Sequence, residues 1–381
     1  MPHYPYLIVG AGMTADAAVR GIREIDAEGA IGVVGAEADP PYARPPLTKA
    51  LWKGEPLDSV WKWTAQAGAQ LHLGRRATAI DLRGKTLTDD VGATYTYDKL
   101  LLATGGTPRR LGTGAEHVLH FRTLADYRIL RELAKPDAAI AVIGGGFIGS
   151  ELAAALSMAG CKVTMLFPDA GIGGRIFPAD LAAFLVDSYR EKGVDVRPGQ
   201  KVTGVARERG KLEVETAVGF RATVDAVVAG LGIVPNTELA EAAGIKVDDG
   251  IPVDQRLRTS DPSAYAAGDV ARFESPQLGK SMRVEHEDNA LTMGKAAGRS
   301  MAGDETPYTH LPFFYSDLFD LGYEAVGDTD ARLETEADWK EKFREGVVTY
   351  RKDGKVRGVL NWNTWGQVDA ARERIARGVR P

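Results

Sequence analysis

Two stretches of the chain show the same succession of a short apolar run, a glycine-rich turn and a helical pattern of apolar residues. The first starts at residues 7–9, its helical pattern ends near Ile25, and another apolar run follows at 30–35. The second starts at 139–143 and continues as an alanine-rich helical pattern to Ala159. Strands that alternate with helices in this way are typical of parallel sheets with helices packed on their faces. The pattern therefore predicts an α/β fold.

Each turn between strand and helix carries the glycine spacing of a dinucleotide-binding loop. Residues 10–15 read G-A-G-M-T-A, and residues 144–149 read G-G-G-F-I-G. The first glycine permits a tight turn, the second lets the backbone approach a pyrophosphate at the helix N-terminus, and the last small residue keeps helix and strand close. Two copies in the same context predict two Rossmann-like domains. The predicted loop residues are Gly10, Gly12, Ala15, Gly144, Gly146, Ile148 and Gly149.

Two dinucleotide-binding units in one chain suggest one tightly held flavin and one exchangeable nicotinamide cofactor. Further segments of the chain support this interpretation. An acidic residue follows the second strand of the first domain, where it can accept hydrogen bonds from ribose hydroxyls. Apolar runs at 100–109 and 227–236 end in glycine- and proline-containing turns, which predict crossings of the chain between domains. A short strand at 264–266 runs into a Gly-Asp pair that can bind a ribitol hydroxyl. The residues predicted from these segments are Glu37, Thr104, Gly105, Gly232, Gly268 and Asp269.

The pattern changes from about residue 303 onwards. Alternating runs on either side of Asp353-Gly354 predict a β-hairpin, and a final helix at about 367–377 is expected to pack on that sheet. We therefore expect a C-terminal α+β domain. The expected division is 1–110 with 236–302 for FAD, 111–235 for NAD(P)H, and 303–381 for the C-terminal domain.

Length and composition describe an ordinary globular protein with more than one domain. A chain of 381 residues exceeds the size of a single core, and 44% hydrophobic with 26% charged residues is typical of folded proteins. The net charge of -5 gives no basic surplus, so no nucleic-acid partner is predicted. No signal-like segment opens the chain and no apolar run reaches about 18 residues, so we expect a cytoplasmic protein without a membrane span.

The chain contains one cysteine, Cys161. A redox disulfide needs two thiols and a structural zinc site usually needs several, so neither an intrachain disulfide nor a metal site is predicted. Because Cys161 begins an apolar run, we expect a buried strand position rather than a reactive thiol.

Several longer segments together resemble a known family. They are 41–52 (PYARPPLTKALW), 166–168 (LFP), 283–286 (RVEH), 315–318 (YSDL) and 322–327 (GYEAVG). In this order they resemble the pyridine nucleotide-disulfide oxidoreductase superfamily, which has a glutathione reductase-like fold, in the branch of apoptosis-inducing factor and the ferredoxin reductases. The likeness is closer to apoptosis-inducing factor, because ferredoxin reductases ordinarily have an acidic residue at Phe167 and often a tryptophan-containing run at Glu285-His286.

The resemblance implies an FAD-dependent enzyme that transfers a hydride from NADH to the flavin, with NADPH as the alternative, and passes electrons to an external acceptor. A ferredoxin-like protein, a quinone and oxygen all remain open as that acceptor, and a homodimer is a further expectation. Two other functions remain open. One is an NADH redox sensor whose charge-transfer complex changes its oligomeric state, and the other is a ferredoxin reductase of an oxygenase system.

The resemblance also implies roles for individual residues. Lys49 is expected beside the flavin and paired with Glu151, where a buried cation would stabilise negative charge on reduced flavin. Phe147 is expected to cover the flavin until nicotinamide displaces it, and Tyr315 stands where the family usually has tryptophan. Further residues expected at FAD are Arg44, Arg122, Glu285 and His286, and Glu324 is expected on the NAD side.

The choice between NADH and NADPH depends on the end of the strand after the second glycine loop. An acidic residue at this position normally binds the adenosine ribose, but here the residue is Phe167. Asp169 can serve the ribose instead, which favours NADH, whereas Arg175 can meet the 2′-phosphate of NADPH. We expect NADH to be preferred.

Overall fold

The computed structural model describes residues 1–377. In this part of the chain the strands are β1 His3–Val9, β2 Ile31–Gly35, β3 Ala69–Leu73, β4 Ala77–Asp81, β5 Thr86–Asp89, β6 Thr94–Leu102, β7 Gly106–Pro108, β8 Leu119–His120, β9 Ala139–Ile143, β10 Lys162–Leu166, β11 Asp195–Arg197, β12 Val202–Glu208, β13 Lys211–Thr216, β14 Arg221–Val224, β15 Ala226–Ala229, β16 Ile233–Pro235, β17 Ile251–Pro252, β18 Ala264–Ala266, β19 Ala271–Ser275, β20 Lys280–Met282, β21 Phe313–Leu318, β22 Leu321–Gly327, β23 Glu334–Glu341, β24 Glu345–Lys352 and β25 Lys355–Trp362. The α-helices there are α1 Met13–Arg23, α2 Leu124–Leu133, α3 Phe147–Met158, α4 Ala179–Glu191, α5 Glu238–Ala242, α6 Glu287–Met301 and α7 Val368–Arg377. The predicted α/β fold is confirmed.

The chain divides into two compact units. The first contains residues 1–44, 57–107 and 234–312, and the second contains 45–56, 108–233 and the chain from 313 onwards. The segment 45–56, which carries Lys49, therefore belongs to the second unit. The finer division into three domains stays a prediction.

The first unit is built around a sheet with β1 at its centre. β1 pairs in parallel with β2 and with β6, and the strand order is β3-β2-β1-β6-β5-β4. β5 is antiparallel to β6 and β4 is antiparallel to β5, whereas β18 pairs with β6 in parallel. Leu7 and Ile8 in β1 are completely buried, as expected for a central parallel strand covered on both faces. The loop after β1 therefore begins at the carboxyl edge of the parallel strands, where ligands bind in such sheets.

The second unit contains a parallel sheet of the same design, with β9 in the place of β1. Its order is β11-β10-β9-β15-β8, and all its pairings are parallel. Ile140 and Val142 in β9 are completely buried. The second glycine loop thus leaves the carboxyl end of a central strand, as the first one does. Two smaller three-stranded sheets, β12-β13-β14 and β17-β19-β20, accompany the two parallel sheets.

The C-terminal region forms an antiparallel sheet in the order β21-β22-β25-β24-β23. The predicted hairpin is confirmed, because β24 and β25 pair around a turn in which Asp353 and Gly354 have φ angles of 51° and 72°. Both angles are positive, as the favoured two-residue hairpin turn requires. The predicted last helix is confirmed as α7, which packs on β22 and β25. Strand β21 lies at one edge of the sheet and carries Tyr315.

The core of the C-terminal sheet contains a buried tryptophan, Trp362. Its ring stacks on that of Tyr323 with centroids 5.9 Å apart and an interplanar angle of 8°, and its indole N–H donates to the carbonyl oxygen of Phe343 at 2.9 Å. Trp365, three residues later, is half exposed. The two tryptophans offer a matched comparison of buried and exposed rings.

We expect Trp362→Phe to lower the free energy of unfolding by about 2–3 kcal/mol, because it removes ring volume from a packed site and the hydrogen bond of the indole N–H. Trp365→Phe should change it by less than about 1 kcal/mol. Urea unfolding followed by far-ultraviolet circular dichroism measures both. Equal losses in the two variants would contradict the assignment of Trp362 to the core.

Candidate functional site

The loop between β1 and α1 combines one glycine that sterics require with one that leaves open space. Gly10 has a φ of +105°, and a Cβ atom built there would lie 2.1 Å from the carbonyl oxygen of Ala103. Gly12 is the N-cap of α1, and in the described chain nothing beyond its immediate neighbours lies within 4 Å of a Cβ built on it. Ala15 is completely buried in the first turn of α1. A phosphate group fits the open side of this helix N-terminus.

The loop between β9 and α3 repeats this arrangement. Gly144 has a φ of +123°, and a Cβ there would lie 2.4 Å from the carbonyl oxygen of Gly230. Gly146 is the N-cap of α3, and within residues 1–377 a Cβ built on it likewise meets no other part of the chain within 4 Å. A Cβ on Gly149 would lie 2.0 Å from the carbonyl oxygen of Gly144, so loop and helix touch directly. Both loops therefore fit the pyrophosphate of a dinucleotide.

Glu37, which follows β2, is bound by two side chains of the segment that precedes Lys49. Its Oε1 accepts a hydrogen bond from Arg44 Nη2 at 2.6 Å, and its Oε2 accepts one from the hydroxyl of Tyr42 at 2.6 Å. Although burial opposes the charged guanidinium, the neighbouring Tyr42 and Glu37 raise the pKa of Arg44. The structure thus brings the predicted residues Glu37 and Arg44 together, through a pairing that the sequence did not predict.

Thr104 and Gly105 are tied to Asn236 within the first unit. Thr104 Oγ1 donates to the carbonyl oxygen of Asn236 at 2.8 Å, and Asn236 Nδ2 donates to the carbonyl oxygen of Thr104 at 2.8 Å. The backbone N–H of Asn236 donates to the carbonyl oxygen of Gly105 at 3.0 Å. These three bonds fix the ends of the two predicted crossing segments.

Gly268 and Asp269 lie next to the beginning of α1. Gly268 has a φ of +77°, and a Cβ there would lie 2.3 Å from Oγ1 of Thr14 in the first turn of that helix. The backbone oxygen of Asp269 accepts a hydrogen bond from Arg283 Nη1 at 3.1 Å. The Gly268-Asp269 turn and Gly12 therefore lie at the same helix end.

Glu285 and His286 lie at the beginning of α6 in different environments. Glu285 is exposed and pairs with Arg283, whose Nη1 donates to Oε1 at 2.9 Å. Burial lowers the pKa of His286 to about 4, although the charges of Asp269 and Asp288 oppose this change. The imidazole of His286 is therefore neutral near pH 7 and places no positive charge beside Asp269.

The second unit contains a buried ion pair between Lys49 and Glu151. The ammonium of Lys49 lies 2.7 Å from Oε1 of Glu151, and the two side chains are 12% and 3% exposed. Lys49 precedes a short 3-10 turn at Ala50–Trp52, and Glu151 lies in the second turn of α3. The predicted pairing of these two residues is present in the structure.

Two hydroxyl groups complete the surroundings of the Glu151 carboxylate. Thr48 Oγ1 donates to Oε2 at 2.5 Å, and Ser316 Oγ donates to Oε1 at 2.6 Å. Both hydroxyl side chains are buried. Each of the two carboxylate oxygens therefore has at least one donor, which is what a buried carboxylate requires.

Three aromatic side chains accompany the buried pair. The ammonium of Lys49 lies 5.2 Å from the centre of the Tyr315 ring, within reach of a cation–π interaction. Phe147 is the first residue of α3, is 38% exposed, and meets the ring of Phe314 edge-on at 5.2 Å between centroids. The structure thus brings Lys49, Glu151 and Tyr315 together.

The strand end that normally carries an acidic residue is filled by a buried ring. Phe167 follows β10 and is completely buried, and a Cβ on Gly145 would lie 2.7 Å from its ring. Asp169 and Arg175 form an ion pair at 3.7 Å, with side chains 38% and 84% exposed. The residue expected to bind the ribose of NADH, Asp169, and the residue able to meet the 2′-phosphate of NADPH, Arg175, are therefore neighbours.

The remaining predicted residues have varied surroundings. The backbone N–H of Arg122 donates to Asp126, which with Thr123 caps α2. Glu324, opposite Tyr315 in the β21–β22 pairing, accepts backbone N–H groups of Gly366 and Gln367 at 3.0 and 3.4 Å. The other two are Ile148, which is 36% exposed, and Gly232, which has a φ of +79°.

Cys161 is buried as predicted, but it lies immediately before β10 rather than in the strand, and burial raises the pKa of its thiol. Within residues 1–377 no cluster of three or more His, Cys, Asp or Glu side chains is arranged to hold a metal ion. Among the helices described, none has the length and apolar character that crossing a membrane requires.

Sequence reasoning missed Thr48, Ser316 and the bonds of Tyr42 to Glu37 and Arg44. A hydroxyl that binds a carboxylate one hundred or more residues away leaves no spacing pattern in the chain. The only available signal was adjacency, since Thr48 precedes Lys49 and Ser316 follows Tyr315.

Comparisons with known proteins match nearly the whole chain. The family model for pyridine nucleotide-disulphide oxidoreductases matches residues 4–294, and a model for the C-terminal part of apoptosis-inducing factor matches 297–340. The mitochondrial apoptosis-inducing factor 1 of Dictyostelium discoideum is 33% identical over 98% of this chain and 78% of that protein. The ferredoxin–NAD(+) reductase component of the anthranilate 1,2-dioxygenase system of Burkholderia cepacia is 36% identical over 99% of this chain and 95% of that protein.

Solved structures of ferredoxin reductases resemble the chain in fold as well. The reductase in the covalent putidaredoxin reductase–putidaredoxin complex superimposes with a TM-score of 0.92 at 32% identity, covering 99% of this chain and 94% of that one. A ferredoxin reductase of Rhodopseudomonas palustris gives a TM-score of 0.88 at 32% identity, covering 94% and 91%. Both branches named by the sequence resemblance are therefore found among the similar proteins.

We expect Gly12→Ala and Gly146→Ala to fold normally but to bind cofactor poorly, each at a different loop. Their φ angles of -96° and -89° suit alanine, so the new methyl group would occupy only the open side of each loop. Gly12→Ala should lower the affinity for FAD by at least about tenfold. Gly146→Ala should retain FAD and raise the KM for NADH by a similar factor.

Flavin absorbance after gel filtration and steady-state kinetics measure the two effects, and the melting temperature of the apoprotein checks folding. Gly10→Ala serves as the contrasting variant, because its methyl group would meet the Ala103 carbonyl and destabilise the fold itself. Loss of FAD from Gly146→Ala with FAD retained by Gly12→Ala would reverse the assignment of the loops.

Proposed function

The chain belongs to the pyridine nucleotide-disulphide oxidoreductase family and is an FAD-dependent NAD(P)H oxidoreductase, and from this premise we propose that it passes electrons from NADH through FAD to a ferredoxin-like protein. The observation that carries the proposal is the buried pair of Lys49 and Glu151 at 2.7 Å. The chain has a single cysteine, so no intrachain disulfide can take part in the electron transfer.

We assign FAD to the first unit and the nicotinamide cofactor to the second glycine loop. FAD, when bound, takes up a hydride and releases its electrons one or two at a time. The assignment to the first unit is supported by the open N-terminus of α1 at Gly12 and by the adjoining Gly268-Asp269 turn. Glu37, held by Tyr42 and Arg44, presents a fixed carboxylate for ribose hydroxyls.

We propose that Lys49 supplies a fixed positive charge to the reaction. The pair is largely shielded from water, and charges interact more strongly in such surroundings than in bulk solvent. A preorganised cation stabilises negative charge that develops on a reacting group. Glu151 limits the unfavourable desolvation of Lys49 and holds its ammonium in one place.

Phe147 is proposed to cover the nicotinamide site. Its ring is 38% exposed and belongs to the first residue of α3, directly after the open Gly146. The edge-on contact with Phe314 gives the ring a defined resting position. Displacement of an exposed ring from such a contact requires little rearrangement of the fold.

We propose NADH as the preferred reductant. Asp169 is the less exposed member of its ion pair and lies three residues beyond the end of β10, so its carboxylate is the better placed to accept ribose hydroxyls. The 2′-phosphate of NADPH would meet this negative charge.

A ferredoxin-like protein is the proposed acceptor because the names of two similar proteins state such a partner. The Burkholderia protein is a ferredoxin–NAD(+) reductase component, and the putidaredoxin reductase structure is a covalent complex with putidaredoxin. With one cysteine in the chain, electrons leave from the flavin without an internal disulfide. The predicted homodimer and cytoplasmic location stay predictions.

Anaerobic mixing with NADH is expected to bleach the flavin band of the purified holoenzyme. Lys49→Met should slow this reduction about a hundredfold while FAD stays bound, because it removes the stabilising charge. Lys53→Met is the matched control, since Lys53 lies in the same segment, is 47% exposed and pairs with Asp317 at 3.4 Å. A flavin band that saturating NADH leaves unchanged in the wild type would refute the proposed function.

An acceptor panel tests the proposed partner and the nucleotide preference together. We expect turnover with a bacterial two-iron ferredoxin to exceed that with menadione or oxygen by about tenfold or more, and kcat/KM to be at least about tenfold higher with NADH than with NADPH. Cytochrome c reduction reports ferredoxin turnover, and NADH absorbance reports the other two. A quinone or oxygen rate above the ferredoxin rate would transfer the proposal to that acceptor.

A further inference from the structure

Glu151 is held by groups from two other parts of the second unit. Thr48 and Lys49 come from the segment before the 3-10 turn, Glu151 comes from α3, and Ser316 comes from β21 of the C-terminal sheet. The three contacts to the carboxylate lie at 2.5, 2.7 and 2.6 Å. No one of these segments fixes the carboxylate alone.

The arrangement of the donors restricts how the carboxylate can rotate. Oε1 accepts from Ser316 and contacts Lys49, whereas Oε2 accepts from Thr48. A rotation about the last side-chain bond would move both oxygens away from their hydroxyl partners. Hydrogen bonds to charged groups are stronger than those between neutral groups, so the two hydroxyls favour one orientation strongly.

Two tyrosine side chains near Glu151 are neutral phenols. Burial, with the charge of Glu151 adding to it, raises the pKa of Tyr189 and of Tyr323 well above its usual value. Both rings are buried, and the hydroxyl of Tyr189 donates to the backbone oxygen of Ser150 at 3.1 Å. The neutral phenols add no charge beside the ion pair that Glu151 forms with Lys49.

From this geometry we propose that Thr48 and Ser316 are positioning residues, which fix the Glu151 carboxylate and through it the ammonium of Lys49. The inference rests on the proposed function, in which Lys49 supplies a fixed positive charge to the reaction. A carboxylate without these hydroxyl partners is free to rotate and to contact the ammonium through either oxygen. The positive charge of Lys49 is then no longer held in one position.

The C-terminal sheet has a defined part in this arrangement. Its edge strand β21 contributes Ser316 to Glu151 and the neighbouring Tyr315 to Lys49, so one strand contacts both members of the pair. The site is therefore complete only when β21 is in place. This makes the C-terminal region part of the redox site in addition to its part in folding.

The test measures the flavin midpoint potential and the rate of flavin reduction by NADH in Ser316→Ala and Thr48→Val holoenzymes. We expect each variant to be reduced about tenfold more slowly than the wild type and to have a more negative midpoint potential. Thr48→Ser retains the hydroxyl and should stay within about twofold of the wild-type rate. Ser188→Ala removes a buried serine of α4 in the same unit and is the matched control.

A double-mutant cycle with Lys49→Met separates positioning from a general structural effect. Because Ser316 and Thr48 act through Lys49, adding Ser316→Ala or Thr48→Val to Lys49→Met should leave rate and potential within about twofold of Lys49→Met alone. Equal losses in the presence and absence of Lys49 would overturn the proposal, as would wild-type potentials in both single variants.

The outcomes distinguish this inference from the proposed function. A wild-type flavin that NADH does not reduce would remove the proposed function. A wild-type flavin that NADH reduces, slowed by Lys49→Met but unaffected by Ser316→Ala and Thr48→Val, would remove only the positioning role. Flavin content and melting temperature, measured for every variant, confirm that the compared proteins are folded holoenzymes.

Discussion

The ion pair of Lys49 and Glu151 is the interaction on which the candidate site depends. Burial of two charges is unfavourable, and their mutual attraction compensates for it only when the remaining hydrogen-bonding capacity is also satisfied. Thr48 and Ser316 satisfy that capacity for the carboxylate. Buried pairs of this kind are weak evidence for stability, because apolar residues of similar volume often serve the fold equally well. The pair of Lys49 and Glu151 therefore fits our proposal of chemistry that needs a fixed charge better than a purely structural role.

The two glycine loops use their glycines in the same two ways. In each loop one glycine is needed because a carbonyl oxygen occupies the place of its Cβ, and another leaves the helix N-terminus open. Local sequence predicts this arrangement well, since the tight turn, the strand before it and the helix after it are all encoded within about twenty residues. The central parallel strands, the hairpin around Asp353-Gly354 and the last helix were predictable for the same reason.

Contacts between distant segments were predictable only where the family resemblance supplied them. The pairing of Lys49 with Glu151, about one hundred residues apart, came from the resemblance and from no pattern in the chain. The hydroxyls of Thr48 and Ser316 were missed because serine and threonine are common and a hydrogen bond across the fold leaves no periodicity. The binding of Glu37 by Tyr42 and Arg44 was missed although these residues lie within eight positions, because the loop between them has no regular repeat.

The single cysteine determines how the remaining chemistry must be arranged. In a chain without a disulfide, no internal sulfur centre can store the two electrons delivered by a nicotinamide, so the flavin must hold them until an acceptor arrives. A reduced flavin that waits in this way benefits from a nearby cation whose position does not fluctuate. A lysine side chain is flexible, so its position must be imposed by its surroundings. In our proposal the carboxylate of Glu151, held by hydroxyls from two other segments, imposes this position, and through Ser316 the C-terminal strand β21 takes part in the chemistry of the site.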